Sequence, residues 1–170
     1  MPCSFRDYDI YLERLESYKG ENATSIEYKI RLTRLGHGNS YAANGYMIYK
    51  EDLYSDVQHS IKTFYSSDGS TQFRSYPYTI QSSNICKFFK TNYRQYGQSW
   101  IKPHTNFPYI PEEGICPLPK GKYYSKNLTF EDVPLPTHAP RGLWKFDQRF
   151  ERNGKLIGGL MMYARVTAKW

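Results

Sequence analysis

The chain has 170 residues, 39% of them hydrophobic, and a formal net charge of +7. One core of this size buries roughly 70% of the surface its unfolded chain would expose, so a single domain over residues 1–170 accounts for the length. No run approaches the roughly 20 consecutive apolar residues of a membrane-spanning helix, so a helical integral membrane protein is excluded and a soluble one is expected.

The charge is unevenly distributed. Residues 1–85 carry 9 Lys/Arg against 10 Asp/Glu, and residues 86–170 carry 14 against 6. A basic second half favours anionic partners such as phospholipid head groups, sialylated glycans or nucleic acid, or else forms a solvated face with no partner. Aromatic residues reach 17%, with 17 Tyr, 9 Phe and 3 Trp, enough for a large aromatic interior. The opening Met1-Pro2-Cys3-Ser4 has neither a basic nor an apolar leader region, which argues for the cytosol. Two glycosylation acceptors, Asn22 before Thr24 and Asn127 before Thr129, argue for the secretory route. The expectation is a secreted, extracellular glycoprotein whose signal peptide is not present in this chain.

Along the chain, Ile26, Tyr28, Ile30 and Leu32 alternate with Glu27, Lys29, Arg31 and Thr33, the pattern of a half-buried strand over Ser25 to Leu35. After the break at Gly36 to Asn39, a second strand runs from Tyr41 to Tyr49, with Tyr46 and Ile48 read as inward. Val57, His59, Ile61 and Thr63 share one parity, and the turn Ser66 to Ser70 leads into Gln72 to Ile80. At Asn84 the period changes. Ile85, Phe88, Phe89, Asn92, Tyr93 and Tyr96 take helical spacing, with Ser82, Ser83 or Asn84 as cap and Gly97 as stop.

Ser99 to Pro119 holds four prolines and reads as a loop, made apolar by Trp100, Phe107, Tyr109 and Ile110. Strand-like pieces follow at Lys122 to Tyr124 and Leu128 to Val133. The clearest hairpin joins Leu143 to Phe150 with Leu156 to Val166 through Asn153-Gly154. About eight strands and one helix, with no βαβ alternation, point to a mostly β, two-sheet sandwich.

Cys86 lies in the first helical turn and Cys116 at the end of the Pro-rich loop. A bridge between them would close an excursion of about 30 residues, worth about 3–4 kcal/mol. Two buried free thiols are the alternative. Cys3 is left free, paired between chains, or missing its partner.

Nothing in the sequence signals chemistry. His37, His59, His104 and His138 stand apart with no ligand spacing, so no metal site is expected. No nucleophile elbow, phosphate loop or zincin motif occurs, and the paired acids Glu112-Glu113 and Glu131-Asp132 read as solvated. The expectation is a non-enzymatic binding protein without cofactor. Nucleic acid is not an expected partner, because the helix would turn its aromatics inward and away from bases.

Cys86-Lys87-Phe88-Phe89-Lys90, Cys116-Pro117, Lys120-Gly121-Lys122-Tyr123-Tyr124, Pro134-Leu135-Pro136 and Pro140-Arg141-Gly142-Leu143-Trp144 occur in this order before the Asn153-Gly154 hairpin. In this half the chain resembles insect secreted proteins related to the ML lipid-recognition superfamily, among them the CheB chemosensory proteins and the ganglioside activator protein. The N-terminal strands match only in pattern. The resemblance implies an immunoglobulin-like sandwich whose sheets spread around an apolar ligand, with a helix and loop near the mouth. It also implies that Cys86 and Cys116 are partners. Ganglioside activators carry several disulfides and this chain has three cysteines, a departure from that pattern.

The residues alone leave a closed aromatic core and a ligand cavity equally open, and the resemblance favours the cavity. Its expected lining comes from Tyr28, Ile30, Tyr46, Ile48, Ile61, Phe73, Phe88, Phe89, Trp100, Trp144, Phe146, Leu160 and Met162. Lys87, Lys90, Arg94 and Lys102 form the expected basic rim for an anionic head group. The expected function is binding of a lipid or other hydrophobic molecule in chemosensory or related signalling, with a membrane receptor or anionic membrane surface as further partner. The alternative is an extracellular interaction module that recognises a receptor or anionic glycan through the basic second half.

Overall fold

The computed structural model describes residues 6–18, 25–36, 41–136 and 138–169. Among them eight strands form two antiparallel sheets. The larger has the order β1 (Tyr8–Tyr18), β8 (Lys155–Ala168), β7 (Gly142–Arg152), β4 (Val57–Ser66), β5 (Arg74–Asn84). The smaller has the order β2 (Ile26–Arg34), β3 (Tyr41–Tyr49), β6 (Gly121–Leu128). This is a mostly β, two-sheet architecture consistent with a β-sandwich. The β7–β8 hairpin turns where expected: Asn153 and Gly154 both take the left-handed backbone, at φ 52° and 74°, that a tight primed turn requires.

The strand β1 has no counterpart in the sequence reading. Its first half alternates, with Tyr8, Ile10 and Leu12 buried, but the register with β8 slips between Leu12 and Arg14. That bulge moves the inward parity to Leu15 and Ser17, which face Met162 and Leu160 across the pairing, and it breaks the alternation along the chain.

Pairing fixes which side chains enter the interior. In the small sheet Ile26, Tyr28, Ile30 and Leu32 lie opposite Tyr49, Met47, Gly45 and Ala43. Tyr49 and Ala43 are buried, so this is the inner face. Tyr46 and Ile48 therefore point outward, against the expectation: the inward parity of β3 belongs to its odd-numbered residues. Tyr46 is 42% exposed. Phe73 is also outside. Its ring lies 6.1 Å from Tyr163, and the Lys145 ammonium stands 4.5 Å above it. Lys145 pairs with Tyr163 on the face opposite buried Trp144 and Phe146.

The helical segment begins as expected at Asn84, whose side chain accepts from the Lys87 amide at 2.8 Å. One α-turn, α1 (Ile85–Phe88), passes into a π-helix over Phe89–Gly97. Gly97 does not end it. A second α-turn, α2 (Gln98–Ile101), and a 3₁₀ turn (Lys102–His104) continue through the first part of the expected loop. The wider π spiral changes which residues face the sheets. Phe89, Tyr93 and Gln98 are buried, whereas Tyr96, inward at α-helical spacing, is 62% exposed.

The remaining loop is pinned to this helix twice. Cys86 and Cys116 are disulfide-bonded, with Cα atoms 5.6 Å apart. The buried Gln98 amide donates to the Ile110 carbonyl at 3.2 Å and accepts from the Ile110 N–H at 2.7 Å. The expected strand at Leu128 to Val133 is absent beyond Leu128, where β6 ends. Phe130 and Val133 are buried in a turn instead.

Candidate functional site

The buried side chains form two clusters. One joins Ile26, Tyr49 and Tyr123 to Ile85, Phe88, Phe89 and Tyr93 of the helical segment, and to Phe107 of the loop. The other joins Tyr8, Ile10 and Leu12 of β1 to Trp144, Phe146, Ala164 and Phe130. Between them on the inner face of the small sheet runs the row Ile30, Gly45, Ser125. Two of its three positions carry almost no side chain, so the row cannot fill the space between the sheets as Tyr49 and Tyr123 do on one side. Ile30, Ile61 and Met162 are partly buried and pack against the second cluster.

An open pocket of about 1040 Å³ runs across the three strands of this sheet. By parity Tyr28, Ile30, Gly45 and Ser125 bring inward-facing positions to it, and Ser17 of β1 adds a contact from the other sheet. The alternate residues Lys29, Arg31, Asn44, Tyr46, Tyr124 and Lys126 bring outward-facing ones.

A polar chain leads from Tyr28 into the core. The Tyr28 hydroxyl donates to Gln148 Oε1 at 2.7 Å, and the Gln148 amide nitrogen lies 3.1 Å from His59 Nε2. His59 has no exposed surface and stacks on Phe88 at 3.8 Å between ring centres. Burial pushes its imidazole down to about 3, so it is neutral and accepts from Gln148. Burial likewise raises the Tyr28 and Tyr49 phenols above their ordinary range. These groups are uncharged hydrogen-bonding positions. Among the described residues no group of three or more His, Cys, Asp or Glu could hold a metal ion.

Of the expected lining residues, Tyr28, Ile30, Ile61, Phe88, Phe89, Trp100, Trp144, Phe146, Leu160 and Met162 belong to the interior. Of all the expected lining residues, Tyr28, Ile30 and the outward-facing Tyr46 line the pocket. Trp100 sits on α2, where its indole N–H donates to the Thr129 carbonyl at 2.8 Å and its ring packs edge-on against Phe130.

The expected rim cations lie elsewhere. Lys87 and Lys90 are exposed on the helical segment, Arg94 Nε donates to the Lys90 carbonyl at 2.9 Å, and Lys102 Nζ donates to the Phe107 carbonyl at 2.8 Å. The cations at the pocket are Lys29, Arg31 and Lys126. Strand alternation marks Lys29 and Arg31 as solvent-facing, but only pairing places them near Lys126. Asn127 is exposed near the end of β6 and exchanges two hydrogen bonds with Asn44, at 3.1 and 2.9 Å. Asn22, Cys3 and His37 lie outside the described residues.

The family described as "Protein of unknown function (DUF1091)" matches residues 59–146, from β4 into β7 and across the whole helical segment and disulfide loop. This is slightly more than half of the 170 residues. The chain belongs to this family. No curated protein matches it. Among the described residues no helix is long and apolar enough to cross a membrane.

Proposed function

We propose that this protein is a secreted, non-enzymatic carrier that holds a lipid or other hydrophobic molecule between its sheets, as in the ML lipid-recognition proteins that its second half resembles. The observation that carries this reading is the Ile30–Gly45–Ser125 row, which leaves the two buried clusters separated next to a pocket of about 1040 Å³. Ligand sites are concave, mostly apolar and supplied with a few polar groups, and here Tyr28 supplies a hydroxyl fixed by Gln148. The disulfide supports an oxidising compartment. The resemblance extends the reading to insect chemosensory signalling, with the ligand passed to a membrane receptor.

Protein secreted from eukaryotic cells should carry apolar molecules that organic extraction releases and native mass spectrometry detects. It should also take up a fluorescent fatty-acyl probe after delipidation. Protein that is dry on isolation and takes up no probe would end this reading.

A further inference from the structure

The outer face of the small sheet has a separate composition. Among β2, β3 and β6 the acidic residues reduce to Glu27, against Lys29, Arg31, Arg34, Lys122 and Lys126. Glu27 is shared between Lys29, at 3.7 Å, and Lys50, at 3.1 Å. One carboxylate between two ammonium groups leaves this part of the face cationic. In the middle of it, pairing sets Lys29, Tyr46 and Tyr124 side by side across the three strands. Both tyrosines are 42% exposed, and the Lys122 ammonium stands 4.1 Å from the Tyr46 ring centre. The open pocket passes over this row, with Arg31 and Lys126 beside it.

We propose that this face binds an acidic oligosaccharide, one carrying sulfate or carboxylate groups. Exposed tyrosines on neighbouring strands present flat, rigid platforms, and their amphipathic rings suit the C–H face of a sugar ring. The flanking ammonium and guanidinium groups suit the anionic substituents, with Arg31 able to engage them bidentately. Two interstrand spacings span about 10 Å, so the row accommodates more than one sugar unit. Among the described residues the exposed large hydrophobic side chains are all tyrosines, so the face offers no exposed aliphatic or tryptophan side chain for burial among acyl chains. The Cys86–Cys116 bridge favours an extracellular compartment, where acidic glycans rather than nucleic acids are the abundant polyanions. The site shares the open pocket with the proposed lipid position: the outward-facing residues of its lining serve the glycan, the inward-facing row Ile30, Gly45 and Ser125 serves the lipid, and the proposal stands whether or not a lipid is held.

The test uses full-length secreted protein carrying Thr129→Ala, which removes the Asn127 acceptor beside the face and leaves the Asn44–Asn127 hydrogen bonds in place. Binding to a heparin-type sulfated oligosaccharide is measured by calorimetry at about 0.15 M salt, where surface charge is partly screened. Tyr46→Ala with Tyr124→Ala should weaken binding about tenfold or more at unchanged net charge, as loss of aromatic anchors does. Lys29→Gln, Arg31→Gln and Lys126→Gln together should abolish it. Lys87→Gln with Lys90→Gln, which removes charge from the helical segment, should leave it within about twofold if only screened long-range charge is lost. Circular dichroism confirms that each variant is folded. The proposal is overturned by no binding, by equal losses in the helix and sheet variants, by an inert tyrosine pair, or by tighter binding of single-stranded DNA or anionic phospholipid vesicles than of the glycan. Lipid uptake by the tyrosine variant, measured in parallel, reports on the interior separately.

Discussion

Filling the inner row tests whether the sheets enclose free space. Ser125 is half-buried, faces inward beside Gly45, and donates to the Ala43 carbonyl at 2.9 Å. Ser125→Leu forfeits that bond, at a cost of about 0.5–1.5 kcal/mol. Burying the isobutyl group returns about 1.5–3 kcal/mol if there is room for it. The net is a stabilisation of about 1 kcal/mol together with loss of ligand space. If the row is already packed, the same substitution forces neighbours off their rotamers and destabilises by about 1–3 kcal/mol. The sign therefore separates a cavity from a closed core. Urea titration should show a higher midpoint with an unchanged slope, and delipidated variant protein should lose uptake of the fluorescent fatty-acyl probe. A lowered midpoint with probe uptake intact would refute the placement of the ligand at this row.

Cys86→Ser with Cys116→Ser should cost about 3.5 kcal/mol for a loop of 30 residues, and hydrogen exchange should accelerate first in residues 105–119, not in β7 and β8. Gln98→Ala orphans both the N–H and the C=O of Ile110 and should destabilise by about 2–4 kcal/mol, measured by thermal unfolding; a loss under about 1 kcal/mol would mean that the loop does not depend on this clamp. His59 is held below its ordinary value of 6.5, at about 3. Its contribution is thus complete above pH 6.5 and is lost as pH falls toward 3, because the unfolded chain takes up the proton first. The slope approaches about 1.4 kcal/mol per pH unit, and His59→Gln should flatten that part of the stability profile. Gly159→Ala places a methyl group on the Tyr18 ring and should displace its hydrogen bond to Asp147, costing about 1–3 kcal/mol in denaturant titrations.

The parts of the fold written in local pattern could be read from the sequence. Alternation located β2, β3, β4, β5, β7 and β8, the Asn153-Gly154 pair located the hairpin, and Asn84 located the helix start. Phe88, Phe89, Trp144, Phe146, Leu160 and Met162, expected to line a cavity, lie in the interior but not on the pocket. What failed depended on backbone irregularity. A bulge hid β1 behind a broken period, and a π-helix turned Tyr96 outward where α-helical spacing placed it inward and carried the segment past Gly97 to buried Gln98. The assignments of Tyr46 and Ile48 failed for a different reason. Odd and even residues of β3 are both partly apolar, so only the partners Ile26 and Tyr123 decide which parity is inside.

The charge reading shows the same limit for function. By halves of the chain the basicity lies after residue 85, which includes the helical segment, where Lys102 is engaged by the loop carbonyl of Phe107. The small sheet combines β2 and β3 from the nearly neutral first half with β6 from the basic second half. Its outer face therefore gathers cations that lie more than 90 positions apart, from Lys29 to Lys126, and leaves most of the first half's acids elsewhere. A mean charge along the chain cannot register this, because strand pairing determines which charges share a surface. The same pairing brings Gly45 to Ser125 on the inner face. An exposed cationic, aromatic surface and the inward row Ile30, Gly45, Ser125 thus arise from one register, and Tyr46→Ala and Ser125→Leu test them independently because alternate residues of a strand point to opposite faces.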